Sequence, residues 1–82
     1  MPKNNSGLWS ANFAVAITKH DTTNFPDGQC RGIYVGVGGD VVAIVDGSAI
    51  TFKNAPSGAI LPIQATRVNS TNTTATDMVA LY

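Results

Sequence analysis

The 82-residue chain contains no glutamate, one cysteine, one histidine and one tryptophan, and it has five basic and five acidic side chains. The single cysteine, Cys30, excludes a disulfide within the chain. One histidine and one cysteine are too few for a structural zinc site, which usually has four ligands. The glycine-rich stretch 36–39 leads into a strand pattern, whereas a glycine-rich phosphate-binding loop leads into the N-terminus of a helix. We therefore do not expect it to bind a phosphate group. We therefore expect no metal and no cofactor.

The low charge limits the possible partners. The formal net charge is zero, and the five lysines and arginines are scattered, so the sequence offers no basic stripe for nucleic acid. No apolar stretch approaches the ~20 residues that span a membrane, and no apolar run follows Lys3 as in a signal peptide. A lone thiol fits synthesis in a reducing cytosol. Weak charge repulsion favours association with copies or partners, although an ordinary neutral domain has the same composition.

Catalytic residues are scarce as well. His20 and Asp21 form the only histidine–carboxylate neighbourhood, but sequence neighbours in a loop rarely point at one site with a nucleophile. Cys30, at the start of a strand pattern, is more typical of a buried thiol than of a nucleophile. The aspartates are spread along the chain, with no acid–base pair. The sequence therefore predicts a protein that is not an enzyme.

The residues that are abundant predict an all-β fold. Valine, isoleucine and threonine dominate, only three leucines occur, and no segment keeps a 3.6-residue apolar period. Asp46-Gly47 between the strand patterns 40–45 and 49–53 is a strong hairpin signal, because both turn positions need positive φ. Gly38-Gly39 suggests a second turn, which would join a strand at 32–37 to this hairpin as a meander.

Further strands are predicted before and after the hairpin. Residues 13–18 form one, 76–82 form the last, and Pro62 places an edge or a bend within the run 59–69. The spacing predicts a small antiparallel β-sandwich or barrel of about six strands. We expect residues 13–82 to form a single β domain, and residues 1–12 to form an extended N-terminal arm.

Two strands are apolar on both faces, which suggests contacts beyond a small core. The strand 40–45 places valine, alanine or isoleucine on each side, and the last strand does the same. Subunit contacts or the N-terminal arm folding back would cover the second faces. Trp9 is either a hot-spot anchor for a partner or a lid over the chain's own core. The residues predicted to form an interface are Leu8, Trp9, Leu81 and Tyr82.

Several segments together resemble the spike base protein family of tailed phages and gene transfer agents. The resemblance spans residues 13–82 and leaves out the N-terminal arm. The segments that carry it are Arg31-Gly32-Ile33-Tyr34-Val35-Gly36, Gly39-Asp40-Val41, Ile50-Thr51-Phe52-Lys53-Asn54-Ala55-Pro56-Ser57-Gly58, Leu61-Pro62-Ile63, Arg67-Val68 and the ending Thr73-Thr74-Ala75-Thr76-Asp77-Met78-Val79-Ala80-Leu81-Tyr82.

The resemblance implies a virion structural protein, a head spike base made in the bacterial host cytoplasm and placed on the capsid head. Its implied partners are copies of itself in a ring such as a pentamer, the major capsid protein, and a spike fibre that contacts the host. A capsid decoration or cement protein has the same sequence chemistry. A small carbohydrate-binding module is a rival of another class, for which only Trp9, Tyr34 and Tyr82 offer aromatic rings.

Overall fold

The structure is a computed structural model that describes residues 13–82. Within that range the chain forms strands joined by turns and loops, and none of it is helical. The strands are β1 (Ala14–Ala16), β2 (Gly32–Tyr34), β3 (Gly39–Val45), β4 (Ser48–Ala55), β5 (Ile60–Leu61), β6 (Ala65–Val68) and β7 (Val79–Leu81). In the same range no helix has the length and apolar character needed to cross a membrane.

The strands form two antiparallel sheets that pack as a small β-sandwich. One sheet has the order β1-β7-β2-β5 and the other has the order β4-β3-β6. The core lies between them, with Ile33 and Val35 from the β2 side and Val41 and Val68 from the other sheet, all fully buried. The predicted all-β fold class is confirmed, with seven short strands where the sequence indicated about six.

The hairpin between β3 and β4 forms where its turn residues predict it. Asp46 has φ 52° and Gly47 has φ 78°, and Val45 pairs with Ser48 on either side of the turn. Two positive φ angles in a two-residue loop match the right-handed twist of the flanking strands. The Asp-Gly prediction is therefore confirmed.

The prediction that a turn at Gly38-Gly39 joins β2 and β3 as neighbours in a meander is wrong. β2 and β3 lie in different sheets, so the chain crosses the sandwich at this point. The glycines are needed for close approach instead. A Cβ on Gly38 would lie 2.5 Å from the carbonyl oxygen of Ala55, and the Gly38 N–H donates to Ser57 Oγ at 2.7 Å.

The run 59–69 bends where Pro62 predicted a break. Residues before the proline form β5 in the first sheet, and those after it form β6 in the second. A proline cannot donate to a strand ladder, so the change of sheet falls at a position that needs no such bond.

The two apolar faces of β3 are both buried within one chain. Val41 and Ala43 face the core, whereas Val42 and Ile44 point to the other side and are only 6% and 9% exposed. Burial of this strand therefore does not require a neighbouring subunit, so the expectation of subunit contacts is not needed to explain its second apolar face. The last strand differs, because Val79 and Leu81 remain partly exposed.

Candidate interaction surface

The outer side of the four-stranded sheet is apolar across all four strands. Residues in register on neighbouring strands point to the same side of a sheet, so the pairings define which side chains share this surface. One row crosses all four strands at the level of Tyr34, and a second row crosses β1, β7 and β2 two residues along, at the level of Gly32. We call this surface the apolar face; its residues are Ala14, Ala16, Gly32, Tyr34, Ile60, Val79 and Leu81.

The apolar face is open to solvent in a single chain. Ile60 is 58% exposed and Tyr34 is 38% exposed, and neither belongs to the buried core. The Ile60 Cγ2 and the Leu81 Cδ1 each lie 3.6 Å from the point where a Cβ on Gly32 would stand. These two side chains therefore converge over the glycine and join the two rows into one apolar surface, without a charged residue among its members.

The outer side of the three-stranded sheet has a different character. There Val42 pairs with Thr51, and Ile44 pairs with Arg67 of β6. The Arg67 guanidinium donates to Asn69 Oδ1 at 2.9 Å and to the side-chain oxygen of Asn24 at 3.1 Å. Charged and amide groups thus occupy this side, so the apolar face belongs to the four-stranded sheet.

The structure describes two of the four predicted interface residues. Leu81 lies on the apolar face, next to Gly32 in the register. Tyr82 points to the opposite side, where it packs against the core and its hydroxyl donates to the Gly28 carbonyl at 2.9 Å. Leu8 and Trp9 lie outside the described residues. The two predicted interface residues that the structure describes, Leu81 and Tyr82, therefore point to opposite sides of the sheet.

Tyr82 is held by contacts within its own chain. Its ring centroid lies 5.3 Å from that of Phe13, and its N–H donates to the Phe13 carbonyl at 2.9 Å. Burial raises the pKa of the Tyr82 hydroxyl above its ordinary value of 10.0, and the nearby Cys30 and Asp27 raise that pKa further. These contacts fix the C-terminal strand against β1.

Sequence reasoning missed Ile60, and it considered Tyr34 only as a ring for carbohydrate. Both lie on the apolar face because β2 pairs with β5 and β7, which are distant in sequence. The adjacent Pro62 marked an edge or a bend, and that was the only signal near Ile60. The strand pairing needed to align Tyr34 with Ile60 and Val79 is not encoded in any local pattern.

The histidine–carboxylate neighbourhood stabilises a loop. His20 Nδ1 accepts the N–H groups of Thr22 and Thr23 at 3.3 and 3.2 Å. The Asp21 carboxylate accepts the N–H groups of Ser70 and Thr71, both at 2.9 Å, and the Thr71 hydroxyl at 2.7 Å. The bonds from Thr71 are the main reason that the pKa of Asp21 is below its ordinary value. Both side chains are engaged with loop backbone.

Cys30 is buried, and its thiol points at the Ile63 carbonyl with a sulfur–oxygen distance of 3.8 Å. Residues 13–82 contain no group of three or more histidine, cysteine or acidic side chains placed to hold a metal ion.

The chain is similar to a solved structure. The matching protein is a chain in the capsid of a native gene transfer agent (GTA) particle, a structure computed with C5 symmetry. The two chains are 33% identical with a TM-score of 0.79, over 88% of this chain and 83% of the other. No protein-family model matches the sequence, and no curated protein is significantly similar to it. The chain belongs to the family represented by that chain of the gene transfer agent capsid.

Proposed function

We propose that this protein is a virion structural protein, the base of a head spike that stands at capsid vertices and anchors a host-binding fibre. The observation that carries the proposal is the 33% identity and TM-score of 0.79 to a chain of a gene transfer agent capsid. At that identity and coverage, the two chains have the same fold, and a common ancestor that assembled in the same way is the simplest explanation. The resemblance of residues 13–82 to spike base proteins supports the more specific role.

The physical properties of the chain suit assembly. It has no net charge, which leaves little electrostatic repulsion between copies. Its four-stranded sheet ends in two short edge strands, β1 and β5, and closed rings give such edges a partner. The related structure is that of a capsid computed with C5 symmetry, so the particle has a fivefold axis. A pentamer of this chain would match a fivefold capsid vertex.

The proposed partners are other copies of this chain, the major capsid protein beneath it and a fibre protein above it. A spike base must present two further surfaces, one on each side of its ring, because the capsid and the fibre lie at opposite ends of the ring axis. The polar outer side of the three-stranded sheet, which carries Arg67 and Thr51, is one surface of that kind.

A mass measurement and a location measurement test this proposal together. Light scattering of the purified protein should give a discrete closed oligomer, and a mass of five chains fits the vertex ring best. Electron microscopy of particles that carry a tagged copy should then place the tag at the vertices. A tag spread over the whole capsid surface would instead identify a decoration protein, and a tag absent from particles would refute the virion role.

The carbohydrate-binding alternative receives no support from the geometry of Tyr34. Sugar sites usually combine an aromatic ring with polar hydrogen-bonding neighbours. Tyr34 is flanked in register by Ile60 and Val79, both aliphatic. Its surroundings therefore suit an apolar partner better than a polyhydroxylated one.

A further inference from the structure

The apolar face is a surface that a spike base role does not by itself explain. It contains a tyrosine and three large aliphatic side chains, and Ile60 and Tyr34 are the most exposed of them. The largest exposed apolar patch of a small protein is often a functional contact. The question is therefore what occupies it.

The size of the face favours a short segment over a whole domain. Four strands about 4.8 Å apart and two rows about 7 Å apart give a surface on the order of 300 Å². A stable contact between two folded proteins usually buries about 800 Å² on each partner. One buried tryptophan side chain, by contrast, contributes roughly 150–250 Å². A peptide segment with one aromatic anchor therefore matches the face.

The chain itself contains such a segment. Residues 1–12 precede β1, the edge strand of this same sheet, and they include Trp9, the only tryptophan in the protein. An extended chain covers up to about 17 Å over the five residues from Ala14 back to Trp9. That distance exceeds the roughly 14 Å between the outer strands of the four-stranded sheet.

The direction of β1 favours the face of a neighbouring copy. Ala16 lies in the row of Tyr34 and Ile60, whereas Phe13, at the N-terminal end of β1, bonds to Tyr82 at the far end of the ladder from that row. To cover its own face, the chain would have to reverse between Trp9 and Phe13. Residues 8–12 contain neither glycine nor proline, the residues that most favour such a reversal.

We propose that the apolar face is the docking site for the N-terminal arm of a neighbouring copy, with Trp9 as the anchor over Tyr34, Ile60 and Leu81. This inference rests on the proposed assembly and specifies the contact that joins adjacent subunits. Each copy donates one arm and receives one, which is a heterologous contact and closes naturally into a ring.

Trp9 fluorescence provides a direct readout because no other residue contributes tryptophan emission. In the assembled wild-type protein, the emission should lie at short wavelength and resist quenching by acrylamide. Ile60→Ser should shift the emission to longer wavelength and weaken assembly about tenfold, as expected when one large aliphatic contact is lost. Ile50→Ser is the matched control, since Ile50 is 43% exposed on the other sheet; it should leave the emission unchanged.

Cysteine cross-linking tests whether the arm comes from a neighbour. A Trp9→Cys chain is co-expressed with a differently tagged Ile60→Cys chain, and Cys30 is kept because it is buried. Oxidation should give a covalent heterodimer of the two tags, and Ile50→Cys in place of Ile60→Cys should not. A disulfide confined to single chains that carry both substitutions would show that the arm covers its own face, and would overturn the proposal.

The outcomes separate this inference from the proposed function. An oligomer in which Ile60→Ser leaves Trp9 emission unchanged and no heterodimer forms would refute the arm exchange alone. A folded wild-type protein that stays monomeric at every concentration would refute both arm exchange and self-assembly.

Discussion

The rings of Phe13 and Tyr82 lie against each other at the end of the four-stranded sheet, with centroids 5.3 Å apart and planes tilted by 57°. The pair joins the first described residue to the last residue of the chain. Tilted aromatic pairs at this distance contribute roughly 0.5–1.5 kcal/mol beyond the area that they bury. This contact and the Phe13–Tyr82 backbone bond hold β1 and β7 together, and β1 and β7 carry four of the seven residues of the apolar face.

Tyr82→Phe keeps the ring contact and removes the hydroxyl bond to Gly28. We expect a loss of about 0.5 kcal/mol in unfolding free energy at pH 7, the low end for a hydrogen bond because this one is reached by solvent. The raised pKa of the Tyr82 hydroxyl also makes the unfolding free energy depend on pH. The wild-type protein should lose stability as pH rises from 10.0 through the higher pKa of the folded state, and the variant should lose less. Equal alkaline profiles in urea titrations would contradict this assignment.

Gly47→Ala should destabilise the hairpin by about 1 kcal/mol, because φ 78° is costly for any residue with a Cβ. No atom lies within 4 Å of the added methyl, so the cost is conformational. Gly32→Ala is the control: its Cβ would meet neighbours at 3.6 Å, an ordinary contact distance, and its stability should stay within about 0.5 kcal/mol of wild type. If both variants unfold at the same denaturant concentration, the turn geometry is not as described.

Gly36→Ala should be the most damaging glycine substitution of the three. Its Cβ would lie 2.3 Å from the Asp77 carbonyl oxygen and 2.7 Å from the Asp77 Cβ. Relief requires the two segments to separate, which breaks the Gly36–Asp77 bond and the bridge between Val37 and Thr76. We expect a loss of about 3 kcal/mol or more, a large part of the stability of a chain this short. A melting temperature within about 2 °C of wild type would rule out this close approach.

Asp21→Asn should lower stability at neutral pH, because the carboxylate accepts three hydrogen bonds from Ser70 and Thr71. The folded-state pKa of Asp21 is lowered, so its contribution is present above the ordinary value of 3.8 and is lost as pH falls through the lower folded pKa. The difference between wild type and variant should therefore shrink in acid. Asp46→Asn removes a carboxylate at a turn where asparagine is equally suited, and it is the control for net charge.

Local chemistry predicted much of the fold. Asp46-Gly47 forms the predicted turn because both residues adopt positive φ. Pro62 interrupts the run 59–69 where the chain changes sheet. Both features are predictable because turn formation and the missing proline N–H act within a few residues. The pairing of β2 is different. Its partners β5 and β7 are distant in sequence, so no local pattern predicts the pairing. Gly38-Gly39 has the sequence of a turn, but its glycines are required for close packing between segments.

The candidate surface was predictable only in part. Leu81 was recognised because the last strand is apolar on both sides, and the structure places it on the apolar face. Tyr34 and Ile60 join it only after the register of three strands is known. Tyr82 alternates to the opposite side, because successive strand residues point to opposite faces. The apolar pattern of the last strand therefore predicts that it packs, but it does not show which of its residues faces a partner.

The most direct test of the account is the position of this protein on the particle. Particles carrying a tagged copy are imaged by electron cryomicroscopy, with untagged particles as the reference for difference density. A spike base predicts tag density at the fivefold vertices, below the fibre, in a ring of five. Density distributed over the capsid faces, or particles without the tag, would contradict the central claim.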